Sequence, residues 1–115
     1  MNAPLRETLG TLAALPGVRA AVAATRSDGM PAATIAAVDV DADALAAFAT
    51  ALFERTTLSN EAAGYGETSH LSLDAEHGRV FVTTKGDIAL IVLAEPDAAA
   101  GLLRVSMQRA LRAVA

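Results

Sequence analysis

The sequence predicts a small α+β domain in which a helix leads directly into a β-sheet. An amphipathic N-terminal segment stops at residues 15–18, Leu-Pro-Gly-Val, a combination typical of a helix end. An almost wholly apolar run follows at residues 18–24 and indicates a strand buried on both faces. Further short apolar runs, bounded by turn residues, continue the sheet downstream.

Size and composition bound the class of protein. The 115 residues form one domain, residues 1–115, with no room for a second core. The net charge of −4 opposes binding to nucleic acid and to anionic lipid, so we expect neither nucleic-acid binding nor membrane insertion. There is no cysteine, the N-terminus lacks a signal pattern, and the longest apolar run, residues 88–94, is too short to span a bilayer. We therefore expect a cytoplasmic protein.

The first helix and the first hairpin follow from spacing and turn chemistry. Asn2 can cap a helix that holds Pro4 in its first turn. Residues 18–24 and 32–38 are the two strands of a hairpin, joined by the turn Ser-Asp-Gly at residues 27–29. The buried side of the first helix is predicted from leucines at positions i, i+4 and i+7: Leu5, Leu9 and Leu12.

The longest helix is predicted over residues 42–63, with Gly64 as its stop. Acidic residues at positions 39–43 supply capping oxygens and favourable negative charge at its start. A second row of small side chains widens the apolar arc, which lets another helix come close. The apolar residues predicted to face the sheet are Leu45, Phe48, Ala49, Leu52 and Phe53, and the second row is Ala44, Ala47 and Ala51.

The second half of the chain predicts three strands and a closing helix. Residues 68–73 alternate between polar and apolar and indicate an edge strand, whereas residues 88–94 are nearly all aliphatic and belong at the sheet centre. Residues 79–84 form the strand between them in sequence. The last helix, residues 98–114, is expected to be capped by residues 95–97. Its predicted inward side is Leu103, Met107, Ala110, Leu111 and Val114.

No pattern of an active site is present. We expect His70, on the edge strand, and His77, in a turn, to be solvated, and neither has a second ligand at metal spacing. Gly-Tyr-Gly at residues 64–66 follows a helix rather than a strand, so it indicates a helix stop and not a dinucleotide site. We predict no catalytic residue, no metal and no cofactor.

The order helix, strand, strand, helix, strand, strand, strand, helix resembles the roadblock/dynein light chain family. The residues that carry the resemblance are residues 15–18, the turn at residues 27–29 and Leu-Leu-Arg at residues 102–104. The resemblance covers essentially the whole chain and is greatest to the bacterial MglB-like branch, whose members regulate small Ras-like GTPases.

The resemblance implies a profilin-like three-layer sandwich. Its five-stranded antiparallel sheet carries the long helix on one face and the two terminal helices on the other. Family members associate through the long helix and the neighbouring edge strand, the two elements already marked by a second alanine row and by unpaired edge groups. We therefore expect a homodimer. Its predicted interface residues are Ala44, Ala47, Phe48, Ala51, Arg55, Thr68, His70 and Ser72.

The resemblance also implies a non-enzymatic scaffold that binds a small Ras-like GTPase and modulates its GTP hydrolysis or its localisation. Arg55 and Leu58 are the candidate GTPase contacts. Arg55 is a candidate cation donor to the transferring phosphate, and the alternative is a solvated helix residue beside Glu54.

Two alternatives stay open at this point. One is a small-molecule sensor with a pocket between sheet and helix, although the sequence shows no converging polar groups there. The other is an enzyme whose site is shared across a dimer, in which His70 or His77 meets a carboxylate of the second chain.

Overall fold

A computed structural model describes residues 2–114, and the side chain of Asn2, the predicted first cap, lies outside the part described. The elements are α1 (Asn2–Ala13), β1 (Val18–Thr25), β2 (Pro31–Ala36), α2 (Ala42–Ala62), β3 (His70–Ala75), β4 (Gly78–Lys85), β5 (Ile88–Ala94) and α3 (Ala100–Ala113). The strands form one antiparallel sheet in the order β2-β1-β5-β4-β3. The predicted element order, the edge position of β3 and the central position of β5 are confirmed.

The core has two layers, one on each face of the sheet. Along β1, side chains alternate between the layers: Ala20, Val22 and Ala24 face α2, and Ala21 and Ala23 face α1 and α3. These positions are fully buried. Because methyl groups occupy so much of this strand, helices can approach closely on both sides, as its doubly apolar sequence predicts.

Two glycines with positive φ lie next to α2. Gly64 has φ +85°, and its N–H donates to the carbonyl of Glu61 at 3.1 Å, while the N–H of Tyr65 donates to the carbonyl of Asn60 at 2.8 Å. This pair of bonds is the Schellman motif, so the predicted helix stop is confirmed. Gly29 has φ +70° and packs directly on α2.

Two strands differ from their predicted limits by two residues, whereas β1 extends by one residue at one end and β4 by one residue at each end. β2 ends at Ala36 because the chain turns there: the N–H of Val40 donates to the carbonyl of Ala37, and Val38 is fully exposed. β3 begins at His70 rather than Thr68. Thr68 stays in the loop, where its hydroxyl accepts a hydrogen bond from the Asn60 amide at 2.8 Å.

Two capping predictions are wrong in part. The predicted cap at residues 95–97 lies too early, because α3 begins at Ala100 and its N-cap, Ala99, makes no side-chain cap bond. At α2, only Asp41 caps the helix, accepting from the N–H of Ala44 at 3.0 Å. Asp39 pairs with Arg19 instead.

Candidate functional site

The outer face of α2 carries an apolar surface with no covering element in the described chain. We call it the α2 stripe. Phe48 is 50% exposed and Leu58 is 66% exposed, although apolar side chains of this size are usually buried. The helical spacing brings every predicted helix residue of the dimer interface onto this one face. The α2 stripe consists of Ala44, Ala47, Phe48, Ala51, Arg55 and Leu58.

The sheet-facing side of α2 is narrower than the sequence suggests. Leu45, Ala49 and Phe53 are buried as predicted. Phe48, which was predicted both in the sheet-facing row and among the interface residues, lies on the outer face. The reason is that β1 presents alanines, so a narrow arc of α2 suffices to cover the sheet, and the remaining apolar arc faces outward.

Strand β3 forms the sheet edge beside this surface. Its side chains on the α2 side are Leu71 and Leu73. They were not among the predicted interface residues, although the polar–apolar alternation of residues 68–73 could have identified them. His70 and Ser72 lie on the opposite face, where Ser72 pairs with Phe81 of β4. The predicted interface residues of β3 therefore do not share a face with the α2 stripe, and β3 can contribute its backbone edge and its two leucines.

His70 is half-buried, so the expectation that it is solvated is wrong. Its Nε2 lies 3.0 Å from the Ser72 hydroxyl, and its ring centroid lies 6.3 Å from that of Phe81. Its Nδ1 is enclosed and has no hydrogen-bond partner among the described residues. Burial, and then the positive charge of Arg104, lower the pKa of His70. His77 is exposed, as predicted.

Arg55 and Glu54 do not act as a pair. Glu54 accepts a hydrogen bond from Nε of Arg26 at 2.5 Å, and the Arg26 guanidinium lies 5.2 Å from the ring centroid of Phe53. Arg55 is exposed and forms no ion pair within residues 2–114. It is therefore available to a partner.

A cleft of about 510 Å³ lies at one end of the sheet, where the C-terminal half of α3 meets the loop before β3 and the residues that follow β1 and β4. Its walls are rich in hydroxyl groups and also carry an amide, a guanidinium and a carboxylate. The structure thus differs from the expectation that no polar groups converge between sheet and helix, because the start of β3 and the end of β4 are adjacent only in the folded sheet. The cleft is lined by Arg26, Glu67, Thr68, Ser69, Thr83, Thr84, Gly86, Gln108 and Leu111.

Two further features bear on the class of site. Within residues 2–114, no group of three His, Asp or Glu side chains is placed to hold a metal ion. In the same part of the chain, none of the helices combines the length and apolar character needed to cross a membrane.

Known proteins share this architecture. The solved roadblock/LC7 domain from Streptomyces avermitilis has a TM-score of 0.85 at 22% identity, covering 94% of this chain and 92% of that one. Myxococcus xanthus MglB has a TM-score of 0.86 at 13% identity, covering 97% of this chain and 92% of that one.

Sequence similarity assigns the family. An uncharacterized protein of Methanocaldococcus jannaschii is 30% identical over 83 residues, which cover 72% of this chain and 73% of that protein. The family model described as the Roadblock/LC7 domain matches residues 5–95. With the αββαβββα order and the five-stranded antiparallel sheet, this match shows that the chain belongs to the roadblock/LC7 domain family.

Proposed function

We propose that this protein is a homodimeric, non-enzymatic scaffold that binds a small Ras-like GTPase and modulates its GTP hydrolysis or its localisation. The single observation that carries the proposal is the exposed α2 stripe beside an open sheet edge, in a chain of the roadblock/LC7 family. The MglB-like fold supports it further.

Self-association accounts for both halves of this surface. A two-fold axis brings the same patch of each copy together, so the Phe48 side chains of both copies would be buried. Each such side chain contributes roughly 1.5–3 kcal/mol when it passes from full exposure to full burial, and proportionally less here. The small residues Ala47 and Ala51 permit close approach of the two helices.

The sheet edge supports the same arrangement. β3 has a sheet neighbour, β4, on one side only within the described residues. Antiparallel pairing with β3 of a second copy would satisfy its outer N–H and C=O groups. The opposite edge is less suited to pairing, because β2 begins with Pro31, which has no N–H to donate.

The GTPase contact is proposed at the C-terminal half of the stripe. Arg55 and Leu58 lie one turn apart on α2, and both are exposed. They offer a cation beside an apolar side chain. In this proposal, they orient the GTPase, and the hydrolytic chemistry belongs to the GTPase.

Sedimentation equilibrium and GTPase binding test the two parts separately. We expect a dimer at micromolar concentration and nucleotide-dependent capture of one or more small Ras-like GTPases loaded with GDP or a non-hydrolysable GTP analogue. Arg55→Ala with Leu58→Ala should weaken capture while sedimentation still shows a dimer, whereas Arg109→Ala, on α3, should change neither. A monomer would refute the scaffold, and capture unaffected by the α2 changes would refute this contact.

A further inference from the structure

The cleft between the sheet and α3 has the chemistry of a ligand site that the scaffold proposal does not use. Its volume of about 510 Å³ falls within the roughly 300–1,000 Å³ of small-molecule pockets. We propose that it binds a phosphorylated sugar, either free or as part of a nucleotide. This inference does not depend on GTPase binding, whereas Thr68, a predicted interface residue, also lines the cleft.

The hydroxyl-rich wall matches a sugar. Ser69, Thr84 and the amide of Gln108 can each donate and accept hydrogen bonds, as sugar hydroxyls do. Thr83 is held in place because its hydroxyl donates to the carbonyl of Ser69 at 3.1 Å. Leu111 supplies an apolar contact for the carbon face of a ring.

Arg26 is the proposed phosphate ligand. Its Nε is bonded to Glu54, and its guanidinium lies over Phe53, so its position is fixed before a ligand arrives. The guanidinium has four further N–H donors, which make no hydrogen bond within the described chain. An arginine with free donors in a fixed plane suits the oxygens of a phosphate group.

Glu67 lies at the other end of the cleft. Arg26 follows β1 and Glu67 precedes β3, so three inter-strand steps separate them. At about 4.8 Å a step, these steps span roughly 14 Å. In this proposal, the Glu67 carboxylate accepts hydrogen bonds from the sugar, on the far side of the cleft from the phosphate.

The size of the cleft and the separation of its charges argue against smaller ligands. A lone phosphate would leave Glu67 and most of the hydroxyl wall unused, and a neutral sugar would leave Arg26 unused. One ligand with an anionic end and a polyhydroxylated end engages both.

The test titrates the full chain with ribose 5-phosphate and AMP as probes, and with ribose and inorganic phosphate as their fragments. Binding is monitored by the chemical shifts of backbone amides in NMR spectra. We expect saturable shifts at residues that line the cleft for both phosphorylated probes, with each fragment binding at least 10-fold more weakly. Tighter binding of AMP would identify the nucleotide as the source, and tighter binding of ribose 5-phosphate would identify the free sugar phosphate.

Matched variants distinguish specific binding in the cleft from non-specific electrostatic attraction of the probes. Glu67→Gln and Gln108→Ala should each lower the affinity for ribose 5-phosphate by about 10-fold, the effect of losing one hydrogen bond to the sugar. Glu67→Gln should leave inorganic phosphate binding unchanged or slightly tighter. Glu61→Gln, the same change at an exposed position on α2, should leave all probes unaffected.

Two results would overturn the proposal. One is the absence of cleft shifts with both phosphorylated probes at millimolar concentration. The other is an equal response of the Glu67→Gln and Glu61→Gln proteins. Neither result bears on the dimer, whose state is measured in the absence of ligand.

Discussion

The guanidinium of Arg26 connects the β1–β2 turn to the long helix: its Nε donates to Oε1 of Glu54 at 2.5 Å while its plane lies over Phe53. This contact joins residues 28 positions apart in the sequence. Arg26 also lines the cleft, so the same side chain connects the long helix to one end of the cleft.

Removal of this contact should destabilise the fold modestly. Arg26→Ala loses a partly exposed ion pair and a cation–π contact, each about 0.5–1 kcal/mol, so we expect roughly 1–2 kcal/mol less unfolding free energy. Urea denaturation measures it, and a double-mutant cycle with Glu54→Ala should give a coupling energy of about 0.5–1 kcal/mol. A coupling near zero would show that the pair is dispensable.

Charge on the α2 stripe should dissociate the dimer. Ala47→Glu and Ala51→Glu are tolerated in the single chain, where both alanines are exposed. Each would bury an unpaired carboxylate in the proposed interface, at a cost of roughly 3 kcal/mol or more, which is about 100-fold or more in Kd. Sedimentation equilibrium gives the Kd.

The control for these variants is Ala14→Glu, an exposed alanine just after α1. It should leave the Kd unchanged. If both α2 variants remained dimers, α2 would lie outside the interface.

Two glycines with the same backbone handedness should respond differently to alanine. Gly29 has φ +70°, and a Cβ there would lie 2.8 Å from the Thr50 hydroxyl. Gly64 has φ +85° with open space around it. Gly64→Ala should lower the free energy of unfolding by about 1–2 kcal/mol, the cost of placing alanine in a left-handed backbone conformation. Gly29→Ala should lower the free energy of unfolding further.

Thermal and urea unfolding of both variants would check this. Thr50→Ala combined with Gly29→Ala should recover part of the extra destabilisation caused by Gly29→Ala, because it removes the hydroxyl that the new Cβ would contact too closely. Equal destabilisation of the two single variants would contradict the close approach of the turn to α2.

The stability should fall on mild acidification because of His70. Its native pKa lies below the ordinary value of 6.5, so the unfolded state binds the proton first as the pH falls. Stability is therefore fully present above pH 6.5, is lost as the pH falls from there to the native pKa of His70, and then levels off. Replacement by a neutral side chain should remove this slope.

His70→Gln and the matched change His77→Gln, at an exposed turn, make the comparison. Unfolding free energy is measured at a series of pH values on either side of the ordinary histidine pKa. An unchanged slope in the His70→Gln protein, or a slope lost only in the His77→Gln protein, would refute the assignment.

The element order could be predicted because its signals are local. Proline and glycine at residues 15–18, Gly64 as the stop of α2, and the aliphatic run of β5 act through backbone conformation and immediate neighbours. Of the four aromatic residues, Phe53 and Phe81 are buried and Phe48 and Tyr65 are exposed.

The limits of β3 and α3 could not be predicted in the same way. Thr68 is held in a loop by Asn60, eight residues away. The start of α3 follows a turn in which the N–H of Ala98 donates to Glu95, and Arg79 of β4 donates to the Ala98 carbonyl. These contacts join segments that the chain brings together only on folding.

By itself, the sequence of this protein determined the order of helices and strands, the doubly buried centre of the sheet and the helix face that bears the small residues. All of these follow from periodicity and from the conformations that Gly and Pro allow. Only the tertiary structure decided which of its two predicted positions Phe48 takes, that His70 is half-buried, and that hydroxyls from β4 and from the loop before β3 meet Arg26 and Gln108 in one cleft. The physical reason is that helix rotation and strand adjacency are set by the packing of distant residues.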